Sequence, residues 1–184
     1  MIELDPDADL LPRIAKGEQS AIREMVARKL PRLIALGMRM LNDRGDAEDI
    51  AQETFMRIWK HAGEWETGQA KFDTWMHRVA LNLCYDKLRI RQEPVEDDTV
   101  DQIDPDLIPE DRLAHRQQSD QVAFALSMLP TRQREALVLQ YYQEFSNSEA
   151  ANLMNISVDA LESLLSRARR NMRTMLIESG FVKG

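Results

Sequence analysis

The stretch from Ser146 to Arg173, SNSEAANLMNISVDALESLLSRARRNMR, constrains the fold most, because helix period, turn chemistry and helix period follow one another in a short span. Ser146-x-x-Glu149 is a capping-box start: the serine hydroxyl accepts from a free backbone N–H while the glutamate reaches back. Ala150, Leu153 and Met154 form the apolar face of this first helix. Asn155-Ile156-Ser157 supplies the turn, since Asn155 tolerates the left-handed conformation and Ser157 suits an N-cap. Val158, Leu161, Leu164, Leu165, Ala168, Met172 and Met175 then recur at three- and four-residue spacing and predict one buried stripe. The opposite face carries Asp159, Glu162, Ser163, Ser166, Arg167, Arg170 and Arg173. Two short helices about a tight turn make the pattern of a helix-turn-helix, although a helical hairpin with a solvated charged face has the same periodicity.

Groove geometry says what such a polar face does on DNA. A recognition helix points its first turns at base edges, where Glu162, Ser163 and Ser166 hydrogen-bond, while the later Arg167 and Arg170 reach phosphates.

The N-terminal half also reads as helix, with no alternating strand pattern and few glycines. Asp5-Pro6 and Asp9 precede a short helix through Ile14; a second runs from Ser20 toward Lys29, and Pro31 is expected to start a third. Asn42 to Asp46 reads as a turn. The next helix, Ala47 to Ala62, places Ala47, Ile50, Ala51, Phe55, Ile58 and Trp59 on one face and Glu48, Asp49, Gln52, Glu53, Met56, Arg57 and Lys60 on the other. Acid in its first turn and base in its last agree with the helix dipole. A loop with two glycines and Trp65 follows, from Gly63 to Lys71. The helix from Phe72 to about Arg91 is expected to bury Phe72, Trp75, Met76, Val79, Ala80, Leu83 and Leu88, and to present Thr74, His77, Arg78, Asn82, Lys87, Arg89 and Arg91. Aromatic rings beside a basic helix can stack on unpaired bases, but Trp59, Phe72 and Trp75 at helical spacing read as core. Trp65 differs, because it sits in the loop.

Composition narrows the alternatives. The 184 residues suffice for one large or two small domains. The single cysteine, Cys84, allows no internal disulfide or cysteine-rich zinc site and lies on an apolar helix side, so it reads as core. No signal peptide or membrane-spanning apolar run is evident, so a cytoplasmic protein with no stable membrane insertion is expected. The net charge of −7 is unevenly spread: residues 1–93 hold 15 Lys+Arg against 16 Asp+Glu, residues 120–184 hold 7 against 7, and residues 94–119 hold 2 against 8. That acidic stretch also contains Pro94, Pro105 and Pro109 and reads as an extended linker.

Three motifs in series carry a family resemblance. Asp46-Ala-Glu-Asp-Ile-Ala-Gln-Glu-Thr-Phe-Met-Arg-Ile-Trp59, then Phe72-x-x-Trp75-Met-x-Arg-Val-Ala80-x-Asn82-x-x-x-Asp86-x-x-Arg89, then Leu129-Pro-x-Arg-x-Arg134 with the helix-turn-helix, resemble bacterial RNA polymerase sigma factors of the extracytoplasmic-function (ECF) group. The resemblance implies an all-α chain of two small helical domains: residues 1–93 as sigma region 2, 94–119 as the acidic linker and 120–184 as sigma region 4. It implies core RNA polymerase as partner, through its clamp and flap regions, promoter DNA as target, and an anti-sigma factor as inhibitor under stress control. By position, Glu48, Asp49, Gln52, Glu53 and Met56 match the surface that docks on the clamp. Trp65, Lys71, Arg78, Asn82, Lys87 and Arg89 match the part that captures the melted minus-ten element, with the 65–71 loop lining a pocket for an extruded base. Glu162, Ser163, Ser166, Arg167, Arg170 and Arg173 match the part that reads the minus-thirty-five element. Asn155 stands where the family more usually has a glycine type of turn residue.

Two other classes compete. A conventional two-domain regulator would need a sensor pocket or dimer interface, and no phosphoacceptor, ligand-cage or long heptad pattern is evident. A helical adaptor would use the N-terminal bundle for protein partners alone. As to an enzyme, His61, His77 and His115 are scattered and share no metal spacing with Cys84, so no catalytic residue, metal or cofactor is expected.

Overall fold

The computed structural model describes residues 5–66, 68, 70–91 and 118–180, so most of the expected linker and two loop positions, Thr67 and Gln69, lie outside the described residues. The regular elements are all helical among the described residues, as expected of an all-α chain. The chain divides into two compact units, Met1–Met38 with Asp43–Lys87 and Arg39–Asn42 with Leu88–Gly184. No described helix is long and apolar enough to cross a membrane.

The first unit is built from α1 (Leu10–Ala15), most of α2 (Gln19–Leu41), α3 (Arg44–His61), a 3₁₀ turn (Ala62–Glu64) and most of α4 (Phe72–Ile90). Two expected boundaries shift. Instead of a break before Pro31, α2 runs through it as one helix. Proline removes one helical hydrogen bond and crowds the preceding turn. Here Ala21, Met25, Leu33, Leu36 and Met40 continue one buried stripe across it, so packing outweighs the local penalty. Likewise α3 starts at Arg44 rather than Ala47, because Asp43 is its N-cap and accepts from the Asp46 N–H at 2.8 Å. Gly37 of α2 faces α3 so closely that a Cβ there would lie 2.8 Å from Cα of Ala47.

The core of this unit includes Ala47, Ile50, Ala51, Phe55, Ile58, Phe72, Met76, Ala80 and Cys84. Trp59, Trp75, Val79 and Leu83 are only half-buried, and Trp59 stacks on Phe55 with ring centroids 5.5 Å apart. His77, expected on the exposed side of α4, is instead fully buried. Its Nδ1 lies 2.7 Å from the Asp73 carbonyl, one turn earlier on the same helix, which gives its ring a local polar partner inside the core.

The second unit holds α5 (Gln118–Met128), α6 (Thr131–Leu137), which runs on into a π-helical turn (Val138–Tyr142), α7 (Asn147–Met154) and α8 (Val158–Glu178). Arg134 Nη2 donates to the carbonyls of Ser127 at 2.7 Å and Leu129 at 3.2 Å, covering orphan acceptors at the end of α5. The capping box forms as expected, with Ser146 Oγ accepting from Glu149 N–H at 3.2 Å and Glu149 Oε2 accepting from Ser146 N–H at 2.9 Å. Asn155 takes the left-handed conformation at φ 56°, ψ 44°. Around it the amides of Asn155 and Ile156 return to the carbonyls of Asn152 (3.1 Å) and Ala151 (3.0 Å), closing α7 as a Schellman motif. Ser157 then caps α8 by accepting from Ala160 N–H at 3.1 Å. Leu161, Leu164, Leu165, Ala168 and Met175 are buried as expected, but Val158 at the first position of α8 is exposed and Met172 is half-buried.

Candidate nucleic-acid and polymerase interfaces

Three surfaces follow from these helices, and each is set by which side of a helix the core has taken. On α3 the buried side is Ala47, Ile50, Ala51, Thr54, Phe55 and Ile58, which leaves the other side to Glu48, Asp49, Gln52, Glu53 and Met56. Met56 is 58% exposed, a large apolar side chain in a mainly acidic and polar neighbourhood. Glu48 pairs with Arg44 at 2.7 Å and Glu53 with Arg57 at 3.2 Å, both one turn apart on the exposed surface. An exposed apolar anchor ringed by screened charges suits a protein partner better than a polyanion.

On α4, Arg78, Asn82 and Arg89 are exposed, and at 100° per residue they fall within about 40° of one another. A side chain stripe of two guanidiniums and an amide matches phosphate holding and base-edge recognition. Lys87 does not join them. It projects about 180° from Arg78, and its Nζ reaches Asp46 Oδ1 at 3.1 Å and Asp49 Oδ2 at 3.3 Å on α3. Those hydrogen bonds, Asp46 first, and the charges behind them raise its pKa above the ordinary lysine value.

Ahead of α4, Trp65 packs among aromatic rings. Trp65 is half-buried and meets Phe72 and Trp75 edge-on, with centroids 5.7 and 5.8 Å apart. Trp65 is therefore a wall of the loop, supported from behind by Phe72 and Trp75. Lys71 is exposed, and its carbonyl opens α4 by accepting from Thr74 N–H at 3.1 Å and Trp75 N–H at 3.2 Å.

On α8, Glu162, Ser163, Ser166, Arg170 and Arg173 are exposed and lie within about 100° of arc. Arg167 is half-buried at the margin of this face, and its Nε donates weakly to the Ser163 carbonyl at 3.4 Å. Sequence periodicity passed over Arg169, which lies on the exposed side three residues beyond Ser166 and donates to Tyr141 Oη at 3.0 Å. Its place seven residues after Glu162 was the available signal. Arg132 supports the whole motif from below: Nη2 donates to the Met154 carbonyl at 2.9 Å, at the end of α7, and Nη1 to Glu135 at 3.0 Å.

Known proteins match both units. A family model described as Sigma-70 region 2 matches residues 25–93, and one described as Sigma-70, region 4 matches residues 119–172. The chain is 29% identical to the ECF RNA polymerase sigma factor SigW of Bacillus subtilis, over 90% of this chain and 94% of that protein. It is 33% identical to SigM, an ECF RNA polymerase sigma factor of the same organism, over 75% of this chain and 84% of SigM. To the ECF RNA polymerase sigma factor SigG of Mycobacterium tuberculosis it is also 33% identical, covering 87% of this chain but only 49% of SigG. Among solved structures, CnrH in complex with the cytosolic domain of CnrY aligns with a TM-score of 0.69 at 27% identity, over 94% of this chain and 97% of that one. The sigma factor RpoE of Bartonella quintana, in complex with the anti-sigma factor NepR, aligns with a TM-score of 0.65 at 26% identity, over 84% and 96% of the two chains.

Proposed function

Because the chain belongs to the ECF family of RNA polymerase sigma factors, a family that directs core polymerase to promoters, we propose a division of labour among its three exposed surfaces. The α3 surface of Glu48, Asp49, Gln52, Glu53 and Met56 docks on the polymerase clamp. Arg78, Asn82 and Arg89 of α4, with Lys71 and the Trp65 wall, take the melted minus-ten element. Glu162, Ser163 and Ser166 of α8 meet base edges of the minus-thirty-five element, while Arg167, Arg169, Arg170 and Arg173 address its phosphates. Residues 1–93 act as region 2, 120–184 as region 4 and 94–119 as their linker.

The observation that carries this reading is the stripe of Arg78, Asn82 and Arg89 along the helix whose start packs against the half-buried Trp65. Unpaired bases stack on aromatic rings and extruded bases need a fitted pocket, which double-stranded DNA does not require. Lys87, held by Asp46 and Asp49, acts in this scheme as a tie between α4 and α3 rather than as a phosphate contact.

An anti-sigma partner and a cytoplasmic site of action belong to the same reading. They are supported by the anti-sigma complex of the Bartonella protein and by the location of bacterial transcription.

Run-off transcription with core polymerase on a genomic promoter library tests the assignment. The wild-type chain is expected to give specific initiation. Arg78→Ala and Asn82→Ala are expected to lower open-complex yield with core affinity unchanged, and Met56→Ala to lower core affinity. Loss of core affinity in Asn82→Ala, or none in Met56→Ala, would reverse the assignment.

A further inference from the structure

The segment before α1 reaches across the first unit to the start of α4. Asp5 Oδ2 accepts from the Phe72 N–H at 2.7 Å, one of the amides that a helix start leaves without a partner. The other oxygen of Asp5 accepts from the Asp7 N–H at 3.1 Å, which orients the carboxylate. Asp7 is itself 1% exposed, and its Oδ2 lies 2.5 Å from Nζ of Lys29, which is 5% exposed. Lys29 in turn reaches Asp73 Oδ1 at 2.6 Å, and Arg32 takes Asp73 Oδ2 at 2.9 Å. Charges this deeply placed persist only when paired, so losing one partner costs far more than at the surface. The result is a latch that holds residues 5–7, the middle of α2 and the first turn of α4 as one body.

Phe72 is where the 65–71 loop becomes helix, and its buried ring backs Trp65. A cap that fixes the Phe72 amide therefore fixes the exit of the loop. We propose that Asp5 is a positioning residue for minus-ten recognition: it holds the base-reading loop in register through Phe72, with the Asp7, Lys29 and Asp73 cluster holding Asp5. The inference rests on the assignment of that loop to the minus-ten element. Local sequence carries no trace of the cap, because donor and acceptor are 67 residues apart.

A purely structural staple and a positioning residue separate by experiment. Asp5→Ala, Asp5→Asn and Asp5→Glu are made in the full chain and assembled with core polymerase, at a temperature where circular dichroism shows each folded. Run-off is measured on templates with a randomised minus-ten element, and core affinity separately. Asp5→Ala is expected to lower discrimination between the preferred minus-ten sequence and its single-base variants about fivefold, the scale of one lost N-cap, with core affinity unchanged. Asp5→Asn, which still offers an oxygen acceptor, is expected to keep most of the discrimination. Asp5→Glu keeps the charge but moves the acceptor by a methylene, so it is expected to lose part; it carries the test if Asp5→Ala does not fold. Undiminished discrimination in Asp5→Ala, or in Asp5→Glu where Asp5→Ala does not fold, or a fall in core affinity in parallel, overturns the positioning role. A wild-type chain indifferent to minus-ten sequence would remove the loop assignment and this inference with it.

Discussion

At the scale of single residues, the half-buried Asp73, paired with Lys29 and Arg32, shows how an ion cluster makes stability depend on pH. Burial alone would raise its pKa, but the Lys29 hydrogen bond and the Lys29, Arg32 and His77 charges outweigh it, so the carboxyl titrates below the ordinary aspartate range. A depressed folded-state pKa contributes stability that is present above the unfolded value and lost as pH falls through the folded one. The contribution of this pairing to the first unit's stability is therefore expected to be complete at neutral pH and to decline as pH falls below about 4, as read by denaturant melts in a pH series. Asp73→Asn should lower the plateau and flatten that decline; an unchanged acid slope would count against the pair as its source. Asn155 makes a second prediction. At φ 56° it suits glycine as well, so Asn155→Gly should be nearly neutral, whereas Asn155→Val should destabilise by about 1 to 2 kcal/mol in the same melts. The contrast explains what sequence could reveal. The cap at Ser146 and the turn at Asn155 were legible because donor and acceptor lie within a few positions, while the Asp5 cap and the buried His77 depend on residues brought together only by folding.

At the scale of elements, α2 is where local signals and packing disagree. Pro31 argues for a break, and the buried series Ala21, Met25, Leu33, Leu36 and Met40 argues for continuity. Continuity prevails because burying large side chains of that kind is worth about 1.5 to 3 kcal/mol each, against about 3 kcal/mol for one interior proline. Gly37 on the same helix is the converse case. Alanine is the better helix former by about 1 kcal/mol, so propensity alone predicts that Gly37→Ala stabilises. Yet its Cβ would sit 2.8 Å from Cα of Ala47, which is backbone and cannot turn aside. Gly37→Ala is therefore expected to destabilise by about 1 to 3 kcal/mol, the range for overpacking, and to weaken polymerase docking by shifting α3. Thermal melts with core-binding measurements check both; a stabilised variant would show that α2 and α3 separate freely. Period and caps thus located the helices and their buried sides, while α2 continuity and α2–α3 proximity required the packed structure.

At the scale of the whole molecule, charge decides how DNA affinity is divided between this chain and polymerase. Residues 120–184 are neutral overall, with 7 Lys+Arg against 7 Asp+Glu, and the linker adds acid. If three or four arginines of α8 meet phosphates, counterion release gives a slope of log affinity on log salt of about −3, a modest value for a DNA-binding protein. Duplex binding by the purified chain should therefore be weak and lost at moderate salt, whereas the same promoter should be protected when core polymerase is present. Substitutions should then separate by chemistry. Arg170→Ala should weaken binding evenly across sequences and reduce the salt slope by about 1, while Ser166→Ala should alter base preference in the minus-thirty-five element and leave the slope alone. Footprints with holoenzyme and salt titrations of the chain measure these effects. A tight, sequence-specific footprint by the chain alone would place the affinity in α8 itself. Weak binding alone with strong protection in holoenzyme is what a specificity subunit requires, because a free factor with high affinity would occupy promoters without the enzyme that transcribes them.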